Sequence, residues 1–287
     1  MSYNGAVSTA IALQTGEQEQ YRTHGFIVVK SLFSKQEAQS FVAHYMAMHA
    51  AGTAPGESND YIPDHDPLKT YPRFMHPHRW DSISLAWLTD PRIMDRVAAL
   101  LGEEPAAAQS MMYFKAPGAR GQALHQDQFY LRVTPGTCMG VWIALDPADE
   151  ENGCMQVVPL TGGLPRLCTV PADTTVSISD VTVPLSEEMH AVPVVMQPGD
   201  ALFFNGSVIH GSYPNTSASR FRRCLIGHYL PLKSASVSQW YNPLVRRDGT
   251  NLDLPASEGG GPCGVWTEQN QVQLVDPQTH EPIPEPE

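Results

Sequence analysis

Two periodicities divide the chain. Up to about residue 101 the apolar positions have helical spacing. Glu17–His24 is polar and helix-forming, and Gly25 suits its C-terminal end. Ser34 followed by Glu37 has the spacing of a capping box. Apolar residues then recur at Ala38, Phe41, Val42 and Tyr45, one face of a helix. A further helix is predicted over 90–101, and Phe26–Val29 reads as one short strand. After Pro105 the period changes. Short β-like runs fall at 111–115, 124–128, 138–145, 154–158, 192–196, 201–204 and 224–230, separated by Pro-Gly, Asn-Gly and Pro-Asn pairs. Early helices followed by many short strands predict a mainly β fold with flanking helices, a double-sheet barrel of jelly-roll type.

The length fits one domain over 1–287. Residues 50–80 are rich in Pro, Asp, His and Gly. They are too long for a simple connector and are read as a lid. The acidic, proline-rich tail, 272–287, is read as a disordered end or a surface strap.

Charge narrows the partners. Thirty acidic and 18 basic residues leave a formal net charge of -12. Such a surface repels phosphate backbones and anionic bilayers, so neither nucleic acid nor membrane is expected. No apolar run reaches transmembrane length, and the first residues lack the basic region of a signal peptide. The five cysteines have no Cys-x-x-Cys spacing. They are read as free thiols in a reducing, cytoplasmic compartment, with no cysteine-based zinc site.

The candidate chemistry begins in QALHQDQFYL, residues 122–131. On a strand, His125 and Asp127 leave the same face and Gln126 the opposite one. A lone His-x-Asp is common in surface turns. His210, in PGDALFFNGSVIHGSYPN, is the best third ligand. Two histidines and a carboxylate form a facial triad with three open positions, which suits ferrous iron rather than a closed structural zinc site. Arg222 strengthens the case. It enters an apolar strand in FRRCLIGHYL, where a guanidinium needs a carboxylate partner and suits a two-pronged grip on a dicarboxylic acid.

These segments together resemble the phytanoyl-CoA dioxygenase family of Fe(II)/2-oxoglutarate oxygenases. The resemblance runs from EQYRTHGFIVVKSLF through HQD, GVWIALDPADEENGCMQVVP and PGDALFFNGSVIHGSYPN to RFRRCLIGHYL. It implies a double-stranded β-helix with iron held by His125, Asp127 and His210. Arg222, rather than Arg223, would grip the distal carboxylate of 2-oxoglutarate. Gln109, Tyr113, Gln122 and Trp142 resemble residues that border the cosubstrate. Thr161 keeps its place in a Pro-Leu-Thr-Gly-Gly segment where the family commonly has a histidine, and is expected to reach the cosubstrate. The resemblance implies Fe(II), 2-oxoglutarate and dioxygen as reagents, and hydroxylation with release of succinate and carbon dioxide.

Asp127 stands where family halogenases have a small residue, so halogenation is disfavoured. Tyr71, Arg73 and His78, in the segment 71–80, and Phe129, just past the ligands, are candidates for substrate contact. His24, His44, His49, His65, His190, His228 and His280 show no pattern and read as structural or surface residues. Few lysines and no basic cleft for coenzyme A phosphates point to a small natural-product intermediate or an amino-acid-like metabolite. The same iron site would also serve desaturation, cyclisation, epoxidation or epimerisation. A cupin-like isomerase or a noncatalytic jelly-roll binding protein would share the fold but would not need Arg222.

Overall fold

The computed structural model describes residues 16–55 and 62–283. The first stretch of the chain, residues 56–61 of the expected lid and residues 284–287 of the tail lie outside it. Helix Glu17–His24 ends at Gly25 with φ 85°, where a Cβ would also lie 2.5 Å from Val208 Cγ2. Only glycine serves both demands. Helix Lys35–Ala51 opens with both halves of the Ser34/Glu37 capping box. Helix Pro91–Leu101 takes Asp90 as its cap. A helix absent from the sequence reading, Ser82–Leu88, docks through its own polar groups. Tyr45 OH accepts the Trp87 Nε1 proton at 2.9 Å and meets Ser84 Oγ.

Two antiparallel sheets carry the site. The larger runs in the order Phe26–Val29, Ala201–Asn205, Met139–Ala144, Cys224–Pro231, Pro105–Tyr113, Leu244–Val245, Asn251–Leu252. The smaller runs Gln122–His125, His210–Ser212, Met155–Val157, Val192–Val194. Trp142, Leu202, Phe204 and Ile226 of the larger sheet pack inward against Met155, Val157 and Val194 of the smaller. The alternate residues Val141, Ile143, Phe203 and Leu225 point outward onto Phe41, Tyr45, Trp87, Ile93 and Val97. This is a double-stranded β-helix with helices on one outer face. It explains why Met139–Ala144 reads as an unbroken apolar run, since both of its faces are buried.

Four sequence expectations change. The strand expected at 111–115 starts at Pro105, in a run of alanines whose weak strand preference hid it. The strand expected over 124–128 stops at His125, and Gln128–Leu131 is a helical turn. Within 62–80, Pro67–Thr70 is helical, and Phe74–Met75 pairs with Met111 and Met112 at the sheet. Cys168 and Cys263 form a disulfide across a sequence separation of 95, leaving Cys138, Cys154 and Cys224 as buried free thiols. The fold closes that pair, so local spacing could not reveal it. The bond removes the free-thiol argument for a reducing compartment. It also anchors the hairpin Cys263–Trp266 with Val272–Val275, in which Val275 is buried. Among the described residues no helix is long and apolar enough to cross a membrane.

Candidate metal centre

The smaller sheet brings two histidines face to face. Strand pairing sets His210 directly opposite His125, and their ring centroids are 4.2 Å apart. Asp127 arrives differently from expectation. It lies beyond the strand, with φ -64° and ψ -28°, at the start of the turn Gln128–Leu131. A bend after the strand end, and not strand alternation, turns its carboxylate inward. Gln126 does face away. Its amide donates to Pro165 O and Ser207 O and accepts from Leu167 N–H.

Asp127 Oδ1 lies 3.5 Å from His125 Nε2 and 3.6 Å from His210 Nε2. The three ligand atoms fall within 4.8 Å of one another. Among the described residues no other trio of His, Cys, Asp or Glu does so. Each histidine is oriented by a carbonyl two residues back: His125 Nδ1 meets Ala123 O at 2.8 Å, and His210 Nδ1 meets Val208 O at 2.9 Å. A carbonyl only accepts, so Nδ1 carries the proton and the Nε2 lone pair faces the centre. Burial, then His125 alongside, pushes the His210 imidazole down to about 4, so it is neutral near pH 7. Burial pushes the Asp127 carboxyl up, but His210 and His228 outweigh it and hold the group well below the carboxylate range. Two imidazoles with Nε2 turned inward and one carboxylate fit a divalent transition metal.

Two supports of this centre were not read as functional from sequence. His228, taken for a structural or surface residue, is buried, and its Nε2 lies 2.8 Å from Asp127 Oδ2. Its signal was the even spacing of Arg222, Cys224, Ile226 and His228 along one strand face. Phe204 packs on the His210 ring at 4.5 Å. That placement needs Gly140, where a Cβ would lie 2.2 Å from the Phe204 ring.

Arg222 lines the same cavity as the triad, with Tyr113, Gln122 and Trp142. It is 2% exposed. Nε donates to Gly153 O, Nη1 to Cys224 Sγ, and the guanidinium stands 5.2 Å from the Trp142 ring. Among the described residues it has no carboxylate partner. Arg223 points elsewhere and grips Asp146 with two bonds of 2.8 Å. Lys115 and Ser212, both unforeseen, border Arg222. Lys115 Nζ donates to Ser212 Oγ at 2.8 Å and to Tyr213 O. Burial, then Arg222 nearby, holds the Lys115 ammonium well below the lysine range.

A second cavity, of about 280 Å³, opens on the Asp127 side and is bordered by Arg73, Gln109, Tyr130, Asp180, His228 and Tyr241. Several expectations are corrected here. Gln109 borders this cavity rather than Arg222, with its amide 3.4 Å from His76 Nε2. Thr161 lines neither cavity, and its hydroxyl donates to Val158 O and accepts from Ile209 N–H. His78 is buried against Ser110 Oγ and lines neither cavity. Phe129 packs on Tyr130, and Tyr130 takes the place at the mouth. Arg73 does border the cavity, with Nη1 3.2 Å from Tyr113 OH. Tyr71 sits to one side, in a pocket shared with Arg73, Tyr113 and Arg222.

Comparison with known proteins agrees with this geometry. Phytanoyl-CoA dioxygenase 1 of Oryza sativa subsp. japonica is 31% identical over 144 residues, 49% of this chain and 50% of the relative. Methylphosphonate hydroxylase of Gimesia maris is 32% identical over 173 residues, 60% of this chain and 63% of the relative. The chain thus spans about half the length of the first of these and under two thirds of the second. The epimerase SnoN, in complex with Fe3+, alpha ketoglutarate and nogalamycin RO, superposes with a TM-score of 0.62 at 19% identity, covering 77% of this chain and 84% of that one. At that identity the likeness is one of fold. The family model for phytanoyl-CoA dioxygenase (PhyH) matches residues 21–224, which include His125, Asp127, His210 and Arg222. The chain belongs to the phytanoyl-CoA dioxygenase family.

Proposed function

We propose that the protein is a Fe(II)- and 2-oxoglutarate-dependent dioxygenase that hydroxylates a small organic substrate. One observation carries the reading: a buried arginine, with no carboxylate partner among the described residues, shares a cavity with a His-Asp-His cluster. A buried guanidinium left unpaired is costly, and a dicarboxylate cosubstrate supplies the missing partner. When bound, iron with 2-oxoglutarate and dioxygen supplies the oxidation, and succinate and carbon dioxide leave.

The chain's own residues do the rest. His125, Asp127 and His210 would hold the metal through Nε2, Oδ1 and Nε2. Arg222 orients the distal carboxylate, with the Lys115 side chain and the Ser212 hydroxyl beside it. Trp142, Met155, Phe204 and Ile226 wall the cosubstrate side with apolar surface, which excludes water and strengthens these contacts. The substrate enters the second cavity. At about 280 Å³ it holds a compact group, and its polar walls suit a small natural-product intermediate or amino-acid-like metabolite. The hydroxylase activity named for the Gimesia maris relative favours hydroxylation over the epimerisation named for SnoN.

Anaerobic titration is expected to give one ferrous ion per chain, lost in His210→Ala. Breaking one side of a buried charged pair costs about 2–5 kcal/mol. Arg222→Ala should therefore weaken 2-oxoglutarate binding by that amount while iron binding persists, and Arg223→Ala should leave it unchanged. The reverse result would reassign the cosubstrate arginine, and absent iron binding by the unaltered protein would end the oxygenase reading.

A further inference from the structure

We propose that His228 is a positioning residue for the metal centre: it selects which oxygen of Asp127 faces the ion. The inference deepens the iron reading and rests on it. The two oxygens of Asp127 are differently engaged. Oδ1 faces His125 Nε2 and His210 Nε2 at 3.5 and 3.6 Å, whereas Oδ2 meets His228 Nε2 at 2.8 Å. A carboxylate only accepts, so His228 Nε2 is the donor. Both residues are buried, His228 at 4% and Asp127 at 5% exposure, with only their edges on the second cavity.

Asp127 takes no capping bond from its own turn. It stands at the N-cap position of the turn Gln128–Leu131, where an aspartate ordinarily bonds its own backbone amides, yet it makes no such bond. The donor that holds it inward comes from a strand 101 residues away. His228 lies opposite Gly140 on one neighbouring strand and Gln109 on the other, and the register shifts between His228 and Tyr229. Such a bulge re-aims a side chain.

The consequence concerns coordination number. With Oδ2 engaged, Asp127 offers one oxygen, and the three protein ligands leave three positions on an octahedral ion. Without the donor, the carboxylate is free to bind through both oxygens, or to swing back and cap its own turn. The first fills a position that 2-oxoglutarate or dioxygen needs. The second removes a ligand.

The test compares His228→Leu, which keeps bulk and loses the donor, with His228→Gln, which keeps a side-chain N–H. Metal affinity is measured by anaerobic Fe(II) titration. Coordination number is read from the visible d–d spectrum of the Co(II)-loaded protein, independently of turnover. The leucine variant should bind metal about 10–100-fold more weakly, the usual effect of removing a residue that orients a metal ligand. Its Co(II) spectrum should change, and glutamine should restore both. Thermal melts of the metal-free proteins check folding. If leucine abolishes a cooperative melt, His228→Asn, too short to reach Oδ2, takes its place. Wild-type affinity and spectrum in the donor-less variant overturn the proposal, as does an equal loss with glutamine. Failure of the unaltered protein to bind Fe(II) or Co(II) overturns the iron reading instead.

Discussion

Single residues divide into those a sequence announces and those only topology reveals. That His125, Asp127, His210 and Arg222 meet at one cavity was legible, because several ordered segments surround them. His228 was not, because a lone histidine in an apolar strand has no partner in sequence; its partner is Asp127. Thr161 was legible in position and misread in role. Its hydroxyl bridges Val158 O and Ile209 N–H, one residue before His210, so it braces the third ligand rather than touching a cosubstrate. Thr161→Val removes that acceptor and leaves a buried N–H unpaired, which costs about 1–3 kcal/mol. The denaturant midpoint should fall accordingly, with 2-oxoglutarate affinity of the iron-loaded protein little changed. A large change in cosubstrate affinity with unchanged stability would return Thr161 to the cosubstrate site.

At the scale of elements, helices came through better than strands. Helix ends carry chemical signals, such as Ser34 with Glu37 and Gly25, and the structure uses both. Strands buried on both faces carry no alternation, so Met139–Ala144 was visible only as an apolar run. The turn that aims Asp127 inward was invisible, because nothing in HQDQFYL forbids continuing the strand. Beside the Gln128 N–H bond to Gly206 O, the turn is anchored by Gln126. Its three bonds tie the ligand segment to Pro165, Leu167 and Ser207, and the disulfide fixes the next residue, Cys168, to Cys263. Gln126→Leu should free the Leu167 amide, seen as faster hydrogen exchange there than in the larger sheet, and should weaken Fe(II) binding. Unchanged exchange at Leu167 would mean that the disulfide and the backbone bonds of Arg166 and Cys168 to Gly264 hold the loop without Gln126.

For the whole molecule, buried and half-buried histidines set the response to acid. Burial, with Arg79 and His78 nearby, pushes His76 down to about 3. Burial and Arg79 push His78 to about 4, and burial and His125 push His210 to about 4. In the unfolded chain each titrates near 6.5, the ordinary histidine value. Between about 6.5 and 4 the unfolded state therefore binds more protons than the folded one, and stability rises with pH across that window. The contribution is fully present above 6.5 and is lost as pH falls toward the folded values. The net charge of -12 works the other way, since neutralising carboxylates relieves self-repulsion. That relief comes mainly below about 4.5, where Asp and Glu titrate, so between pH 6.5 and 5 the histidine term dominates. Melting of the metal-free protein should show a temperature that falls steadily from pH 7 to 5. His78→Gln, which keeps a hydrogen-bonding group toward Ser110 Oγ but cannot be protonated, should flatten the slope. A melting temperature independent of pH over that range would show that these imidazoles are reached by water and protonated in the folded protein.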